Sequence, residues 1–193
     1  GHELNYYPGE VNFRRANVLV INKIDTADLK DILEVRKNIR NINPEALVVD
    51  ATSPIYVEDG EKIRGKRALV IEDGPTLTHG EMKYGAGVMA AYKYGASELV
   101  DCRSVAVNSI AETFEKYPEI GVLLPAMGYD EQQMKDMETT IEKVDCDLVI
   151  IATPIDLGRI VKFNKPTVRV TYELSEYGSP TLKEILEKKF KKL

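Results

Sequence analysis

The hydrophobic pattern of the chain begins with two short apolar runs on either side of an amphipathic segment. Residues 17–21 are almost continuously apolar and β-branched, which predicts a strand buried on both faces. Residues 28–42 carry apolar side chains at helical spacing, and Pro44 follows them. Residues 46–49 are apolar again. The pattern predicts one strand–helix–strand unit with a loop at the carboxyl end of each strand, where open α/β sheets bind ligands.

A second series of alternating strands and helices follows a polar stretch. The predicted strands are 67–72, 99–101 with 105, 120–124, 147–152 and 167–172. The predicted helices are 85–94, 109–116, 130–143, 156–163 and 181–191. Alternation of this kind is typical of α/β proteins with mostly parallel sheets and helices on both faces. We therefore predict an α/β fold with one domain over residues 1–57 and another over residues 66–193, separated by a polar, glycine-containing linker.

The composition narrows the function classes. Of 193 residues, 44% are hydrophobic and 30% are charged, and no apolar run is long enough to cross a bilayer. The net charge of −5 argues against nucleic acid as a partner. Cys102 and Cys146 belong to no CxxC pair, which predicts buried free thiols and a cytoplasmic location. Neither a membrane nor a nucleic acid is therefore a predicted partner.

A four-residue motif, Asn-Lys-Ile-Asp at residues 22–25, directly follows the first predicted strand. It matches the N-K-x-D pattern that binds guanine. The carboxylate of Asp25 can accept two parallel hydrogen bonds from the guanine edge, whereas adenine has no such pair of donors there. Lys23 can lie along the base plane, and Asn22 can bridge to a neighbouring loop.

The next strand-end loop supports a nucleotide site and also leaves an alternative. Thr52 and Ser53 follow the second predicted strand, one strand–helix–strand unit after the motif, where a backbone amide could contact the base. The alternative is a plain strand-to-helix loop in which Thr26 or Asp28 caps the helix. Residues 60–67 almost match a phosphate-binding P-loop, but Arg67 replaces its Ser or Thr and the segment precedes a strand. We interpret that segment as a linker turn.

Residues 73–80 are a second candidate site because they begin at the end of a predicted strand. Their hydroxyl groups, backbone amides and imidazole suit a phosphate or carboxylate ligand. His79 could act as an acid or base near neutral pH. The alternative is a strand-to-helix connection in which Thr78 or His79 caps the helix. Further strand-end loops contain Arg103 and Thr153, and Arg103 could pair with a phosphate group.

Several long segments resemble the archaeal cyclic 2,3-diphosphoglycerate synthetase family, whose members are also described as predicted GTPases. The resemblance rests on residues 6–14, 22–25, 73–80, 124–129 and 153–157, and it extends over nearly the whole chain. It implies that residues 1–57 are the C-terminal part of a P-loop GTPase-like nucleotide domain whose P-loop lies upstream. It also implies that residues 66–193 form a family-specific, Rossmann-like domain.

The resemblance implies a function and its ligands. The intact protein would form an intramolecular phosphoanhydride in 2,3-diphosphoglycerate, using GTP or ATP with Mg²⁺ and K⁺. The Mg²⁺ ligands would lie upstream, and this chain alone would be inactive. The partners would be the nucleotide and a small phosphorylated acid, with a homo-oligomer left open. A regulatory or assembly GTPase is the alternative.

The motifs and the resemblance together predict roles for individual residues. His79 and Asp73 are the predicted catalytic residues. The predicted substrate-binding residues are Thr76, Thr78, Gly80, Arg103 and Thr153. The predicted nucleotide-binding residues are Asn22, Lys23, Asp25, Thr52 and Ser53, and no metal ligand is predicted within the chain.

Overall fold

The protein is described here by a computed structural model that covers residues 2–79 and 83–190. The side chains of Thr76 and His79 are outside this description. Gly80, one of the predicted substrate-binding residues, lies outside the described residues.

The described part of the chain contains strands and helices in alternation, as the apolar pattern predicts. The strands are β1 (Val18–Ile21), β2 (Leu47–Thr52), β3 (Ile55–Val57), β4 (Arg67–Asp73), β5 (Glu98–Leu99), β6 (Leu124–Ala126), β7 (Leu148–Ala152), β8 (Thr167–Tyr172) and β9 (Ser175–Tyr177). The α-helices are α1 (Gly9–Arg15), α2 (Leu29–Ile42), α3 (Gly74–His79), α4 (Ala86–Tyr94), α5 (Asn108–Lys116), α6 (Glu131–Lys143) and α7 (Leu182–Phe190). Short 3₁₀ helices span Gly60–Ile63, Arg103–Val105 and Leu157–Arg159. The α/β class is confirmed.

The chain divides into two compact units. Unit 1 contains Gly1–Pro54 and Glu173–Leu193, and unit 2 contains Ile55–Tyr172. The sequence predicts the division between residues 57 and 66. However, the structure groups residues after 172 with unit 1 instead of the second domain, because β9 pairs with β2 across a separation of 123 positions in the sequence.

Unit 1 has a three-stranded mixed sheet in the order β1-β2-β9. β1 and β2 are parallel, and β9 pairs antiparallel with β2. Helix α2 turns its apolar stripe inward, so that Ile39 packs with Phe13 of α1 and Ile21 of β1. The prediction that β1 is buried on both faces is wrong, because Val20 is 40% exposed.

Unit 2 has a mixed sheet in the order β3-β8-β7-β4-β5. β4, β7 and β8 run parallel, and β3 is antiparallel to β8. The strands β4 and β7 are apolar and almost wholly buried, with Leu69, Val149 and Ile150 each fully shielded from solvent. Such continuous apolar strands are typical of parallel sheets that are covered on both faces.

Strand β4 is the point at which the strand order of unit 2 reverses. β5 pairs with its beginning and β6 with its end, both on the edge opposite β7. After β6 the chain returns to the other side of β4 through β7 and then β8. Loops that leave neighbouring parallel strands in opposite directions open a crevice at the carboxyl ends of those strands. For unit 2 the strand order therefore predicts such a crevice after β4 and β7.

Two smaller features complete the fold. The helix predicted at 156–163 is only the 3₁₀ turn Leu157–Arg159, in which the Asp156 side chain accepts a hydrogen bond from the Gly158 amide at 3.2 Å. Cys102 and Cys146 are free and buried, as predicted. Among the described residues, no helix combines the length and apolar character that a membrane crossing requires.

Candidate functional sites

The predicted nucleotide-binding residues of unit 1 lie on two loops at the same edge of its sheet. Because Ile21 of β1 is beside Asp50 of β2, the loops that follow these parallel strands emerge together. Asn22 joins them, since its Nδ2 donates a hydrogen bond to Ser53 Oγ at 2.9 Å. Ser53 Oγ in turn lies 3.2 Å from Asn22 Oδ1 and can donate to it.

The backbone holds this loop pair in place. The amide of Ile24 donates to the carbonyl of Ala51 at 3.2 Å, which ties the first loop to the end of β2. Lys23 has a φ of 60°, in the left-handed region, and its amide donates to Asn22 Oδ1 at 2.8 Å. A left-handed residue that is not glycine costs free energy and is enriched at functional loops.

Polar side chains on these loops face solvent. Lys23 and Asp25 are exposed, so an ammonium and a carboxylate are available to a ligand. Thr52 is partly committed to the fold, because its Oγ1 donates to the Ser175 carbonyl of β9 at 3.3 Å. Asp28 is the N-cap residue of α2, yet its side chain makes no hydrogen bond to the first turn of that helix. The loop pair can offer a heterocyclic base both donors and acceptors.

In unit 2, the crevice at the ends of β4 and β7 gathers polar residues. Ile71, Ile151 and Arg169 are neighbours on β4, β7 and β8, and register neighbours in parallel strands share one face of the sheet. Asp73 lies two residues beyond Ile71 and therefore on that same face. Thr153, which is buried, follows β7 directly.

An ion pair occupies the β8 side of this crevice. Arg169 Nη1 lies 3.0 Å from Asp156 Oδ2, and the side chains are 38% and 35% exposed. The Nε of Arg169 is buried and finds no hydrogen-bond acceptor within the described residues. Thr153 Oγ1 donates to the Ile155 carbonyl at 2.7 Å and so shapes the loop that carries Asp156.

Tyr129 lies on the β6 side of the crevice, near Asp73. Burial and the charge of Asp73 together raise the pKa of the Tyr129 hydroxyl. Its Oη is buried and unpartnered among the residues that the structure describes. We use the name carboxyl-edge cluster for Asp73, Tyr129, Thr153, Asp156 and Arg169. Its mixed charges can bind a ligand that carries both an anionic and a cationic group.

Glu72, next to Asp73, is buried, and its side chain binds the start of helix α4. Its Oε1 accepts a hydrogen bond from the Val88 amide at 2.9 Å, so the carboxylate caps the N-terminus of α4. Burial raises the pKa of Glu72, against the lowering effect of backbone amides at Val88, Gly87 and Gly85. This carboxylate is therefore not directed at the crevice.

The remaining predicted site residues on α3 have different surroundings. Thr76 and His79 lie on the short helix α3, and only their backbones are described. Thr78 Oγ1 donates to the Pro75 carbonyl of the same helix at 3.3 Å. Because α3 begins at Gly74, directly after β4, Thr78 lies within a helix and does not cap its start.

Arg103 has structural partners instead of joining the carboxyl-edge cluster. Its Nη1 donates to Asp101 Oδ2 at 2.9 Å and its Nη2 to the Gly121 carbonyl at 3.2 Å. Its guanidinium also lies 4.6 Å from the centre of the Phe114 ring. β5 lies on the edge of β4 opposite β7, so β4 and β7 separate the segment after β5, which carries Arg103, from Arg169 of β8. The guanidinium therefore fastens the segment that leads into β6.

Three residues of the cluster, Tyr129, Asp156 and Arg169, were not predicted as site residues from sequence. Arg169 is the most informative, because a charged residue between the buried Val168 and Val170 is unusual in a parallel strand. That contrast is a signal that sequence reasoning could have used. Tyr129 gave no such signal, because nothing in its loop sequence indicates that its hydroxyl is buried. Among the described residues, no cluster of His, Cys, Asp and Glu is arranged to hold a metal ion.

Comparison with known proteins identifies one similar protein that has a named activity. The chain matches no protein-family model. It is similar to the arginine synthetase ArcE of Thermococcus kodakarensis. The two sequences are 59% identical over 187 residues, which is 97% of this chain and 42% of that protein. The chain therefore spans less than half of the length of this curated relative.

This similarity overturns the functional prediction. The proposed membership of the cyclic 2,3-diphosphoglycerate synthetase family is wrong, because the relative at 59% identity is named an arginine synthetase. The synthesis of a cyclic phosphoanhydride and the alternative of a GTP-binding regulatory GTPase are wrong for the same reason. Strand-end loops on an α/β fold carry many chemistries, so their general pattern did not determine the reaction.

Proposed function

We propose that this chain is part of an enzyme that synthesises arginine at the expense of a nucleoside triphosphate. The observation that carries the proposal is the 59% identity over 187 residues to a protein named arginine synthetase. A synthetase, in the ordinary sense of the word, couples bond formation to cleavage of a nucleoside triphosphate. The activity is proposed for the complete gene product that contains these residues, because the chain spans 42% of the relative.

The structure of arginine suggests the reaction class. Its guanidinium differs from a ureido group by a nitrogen in place of the oxygen, and that oxygen is a poor leaving group. Transfer of a phosphoryl group to the oxygen makes it leave as phosphate when ammonia forms the new carbon–nitrogen bond. One ureido amino acid, one ammonia and one triphosphate then yield arginine, a nucleoside diphosphate and phosphate. Alignment and charge neutralisation would be the main tasks of the protein.

Unit 1 is the proposed position of the nucleotide base, with GTP or ATP as the nucleotide. The support is the loop pair joined by Asn22 and Ser53, with the exposed Lys23 and Asp25 beside them. Mg²⁺ would accompany the triphosphate, and its ligands and any K⁺ site are proposed outside this chain. In this proposal unit 1 is part of a P-loop-like nucleotide domain.

Unit 2 is the proposed Rossmann-like domain. Its support is the reversal of strand order at β4, which is characteristic of doubly wound sheets. A cytoplasmic location belongs to the same proposal, because Cys102 and Cys146 are free thiols.

The test is an assay of arginine formation by the complete gene product. The protein is incubated with a δ-ureido amino acid, isotopically labelled ammonium, Mg²⁺ and either ATP or GTP. We expect labelled arginine, measured by mass spectrometry, and nucleoside diphosphate in equal amounts. Absence of arginine above the enzyme-free background with both nucleotides would rule out the proposed function.

The position of the nucleotide base is tested by Asp25→Asn in the same protein. Loss of a charge-assisted hydrogen bond to the guanine edge is expected to raise the KM for GTP about tenfold, equivalent to ~1.4 kcal/mol. Asp28→Asn is the matched control, because Asp28 is exposed nearby and makes no cap hydrogen bond. Equal effects of the two substitutions would place the base elsewhere.

A further inference from the structure

The carboxyl-edge cluster of unit 2 has the chemistry of a binding site for a free amino acid. Arg169 and Asp156 form an ion pair that is still about one third exposed. Their charges are the counterparts of the α-carboxylate and α-ammonium of an amino acid. Because guanidinium binds carboxylate through two parallel hydrogen bonds, the arrangement can bind both ends of the zwitterion at once.

We infer that this cluster binds the ureido amino acid and the arginine formed from it, with Arg169 on the α-carboxylate, Asp156 on the α-ammonium and Asp73 with Tyr129 on the distal nitrogen group. The inference rests on the proposed function for the identity of the amino acid. It goes beyond that function because it assigns the substrate to named residues of one unit.

The dimensions of the sheet agree with this assignment. Asp73 and Arg169 lie on the same face of β4 and β8, with β7 between them. Neighbouring strands are ~4.8 Å apart, and Asp73 lies two residues beyond Ile71, the β4 residue that is level with Arg169. The Cα atoms of Asp73 and Arg169 are therefore separated by about 12 Å. An extended arginine spans roughly 7 Å from its carboxylate to its guanidinium carbon, given bonds of ~1.5 Å. The molecule therefore fits across β7 with room for a hydrogen bond at each end.

Two buried polar atoms indicate that the crevice accepts a polar ligand. Arg169 Nε and Tyr129 Oη are buried and have no hydrogen-bond partner among the described residues. Burying such a group without a partner costs free energy, so a ligand or ordered water that supplied one would be favoured. These two atoms belong to the opposite ends of the proposed site.

The neighbouring charged residues are excluded by their contacts. Glu72 accepts a hydrogen bond from the Val88 amide of α4. Arg103 donates hydrogen bonds to Asp101 and to the Gly121 carbonyl. Arg159 lies 3.4 Å from the same Asp156 carboxylate, but its side chain is 85% exposed. Arg159 therefore serves as a matched control for Arg169.

The test is calorimetric titration of the 193-residue chain with L-arginine and with its decarboxylated analogue. Arg169→Met is expected to weaken L-arginine binding at least tenfold and to leave the affinity for the analogue within about twofold. Asp73→Asn is expected to weaken the binding of both ligands, because both contain the guanidinium. Arg159→Met should leave both affinities unchanged.

Several outcomes separate this inference from the proposed function. If the gene product makes arginine but neither Arg169→Met nor Asp73→Asn changes arginine binding, the site assignment is overturned and the function stands. No detectable binding of L-arginine by the parent chain at millimolar concentration also overturns the assignment. If binding depends on both residues but no arginine is formed, the site stands and the proposed reaction fails.

Folding of the variants is checked independently. If Arg169→Met loses the circular-dichroism spectrum of the parent chain, Arg169→Lys replaces it. Lysine keeps the charge but lacks the two-pronged donor geometry, so arginine should lose its advantage over the decarboxylated analogue. An unchanged preference for arginine in Arg169→Lys overturns the role of Arg169.

Discussion

Two buried carboxylates of unit 2 show how the same group acquires opposite properties from its surroundings. Burial raises the pKa of Glu72, even though its carboxylate caps α4. Asp136 accepts hydrogen bonds from Asn108, Ser109 and Gln132, which lower its pKa to about 2. The balance between lost hydration and the number of hydrogen-bond donors decides whether the pKa of each carboxylate is raised or lowered.

Glu72→Gln tests the direction in which the raised pKa of Glu72 makes stability depend on pH. The folded protein holds the Glu72 proton more tightly than the unfolded chain does, because the folded pKa is raised from 4.5. The parent should therefore lose stability as the pH rises from about 4.5 through the folded pKa. Glutamine cannot ionise and can still accept from Val88. We expect the free energy of unfolding of the variant, measured with urea, to fall less over this pH range than that of the parent protein.

Asp136→Asn is the control, because the pKa of Asp136 is lowered whereas that of Glu72 is raised. The stabilisation from Asp136 is present above its unfolded pKa of about 3.8 and is lost as the pH falls through about 2. At neutral pH the variant should lose about 1–3 kcal/mol, since it weakens hydrogen bonds to a charged group. The difference from the parent should shrink towards pH 2. A loss that is independent of pH would contradict this interpretation.

At the scale of elements, the contact of helix α4 with the sheet depends on the absence of a side chain at Gly87. A Cβ there would lie 2.6 Å from Val70 Cγ1 and 2.9 Å from Ala152 Cβ. It would also lie 3.1 Å from Glu72 Oε1. The glycine therefore lets α4 approach β4 and β7 closely enough for Glu72 to reach the helix amides.

Gly87→Ala should destabilise the protein although alanine favours helices. The gain in helix propensity is about 1 kcal/mol, whereas overpacking typically costs about 1–3 kcal/mol and here also displaces the Glu72 cap. We expect a net loss of about 1–2 kcal/mol, measured as a lower midpoint in urea.

Gly9→Ala is the matched control for the helix-propensity effect. Gly9 begins α1, and a methyl group added to it would meet no atom within 4 Å beyond its chain neighbours and its own helix. This substitution should be neutral or stabilise by up to about 1 kcal/mol. If both substitutions stabilise the protein, α4 does not pack as closely as the contacts at Gly87 indicate.

At the scale of the whole molecule, the two units have very different cores. Unit 2 is continuous in sequence and contains a large apolar core around β4 and β7. Within the described residues, unit 1 has only a few buried apolar side chains, which are Phe13, Ile21, Ile39, Val49, Ala51 and Ile185. Unit 1 is also assembled from two separate segments of the chain. Free energy from burial is therefore concentrated in unit 2.

Residues 55–172 expressed alone should fold as an independent domain. We expect a cooperative thermal transition in circular dichroism and dispersed amide signals in nuclear magnetic resonance spectra. Residues 1–54 alone lack β9 and α7 and should show no cooperative transition. A non-cooperative melt of residues 55–172 would contradict the independence of unit 2.

Much of the fold was predictable because it depends on local pattern. The apolar runs of β4 and β7 and the amphipathic stripes of α2 and α6 are periodic over many residues. The short strand β9, Ser175–Tyr177, has no apolar pattern and exists because β2 offers it an edge. Its pairing could not be predicted from sequence, because it joins segments far apart in the chain.

By itself the sequence determined the α/β class, the strand-end position of Asn22 to Asp25 and the position of Asp73 at the end of β4. Only the tertiary structure decided that Tyr129 lies near Asp73, that Arg169 shares a face of the sheet with Asp73, and that Arg103 binds Asp101 and the Gly121 carbonyl instead. The reason is that strand order and register depend on long-range pairing, which the local pattern of side chains does not encode.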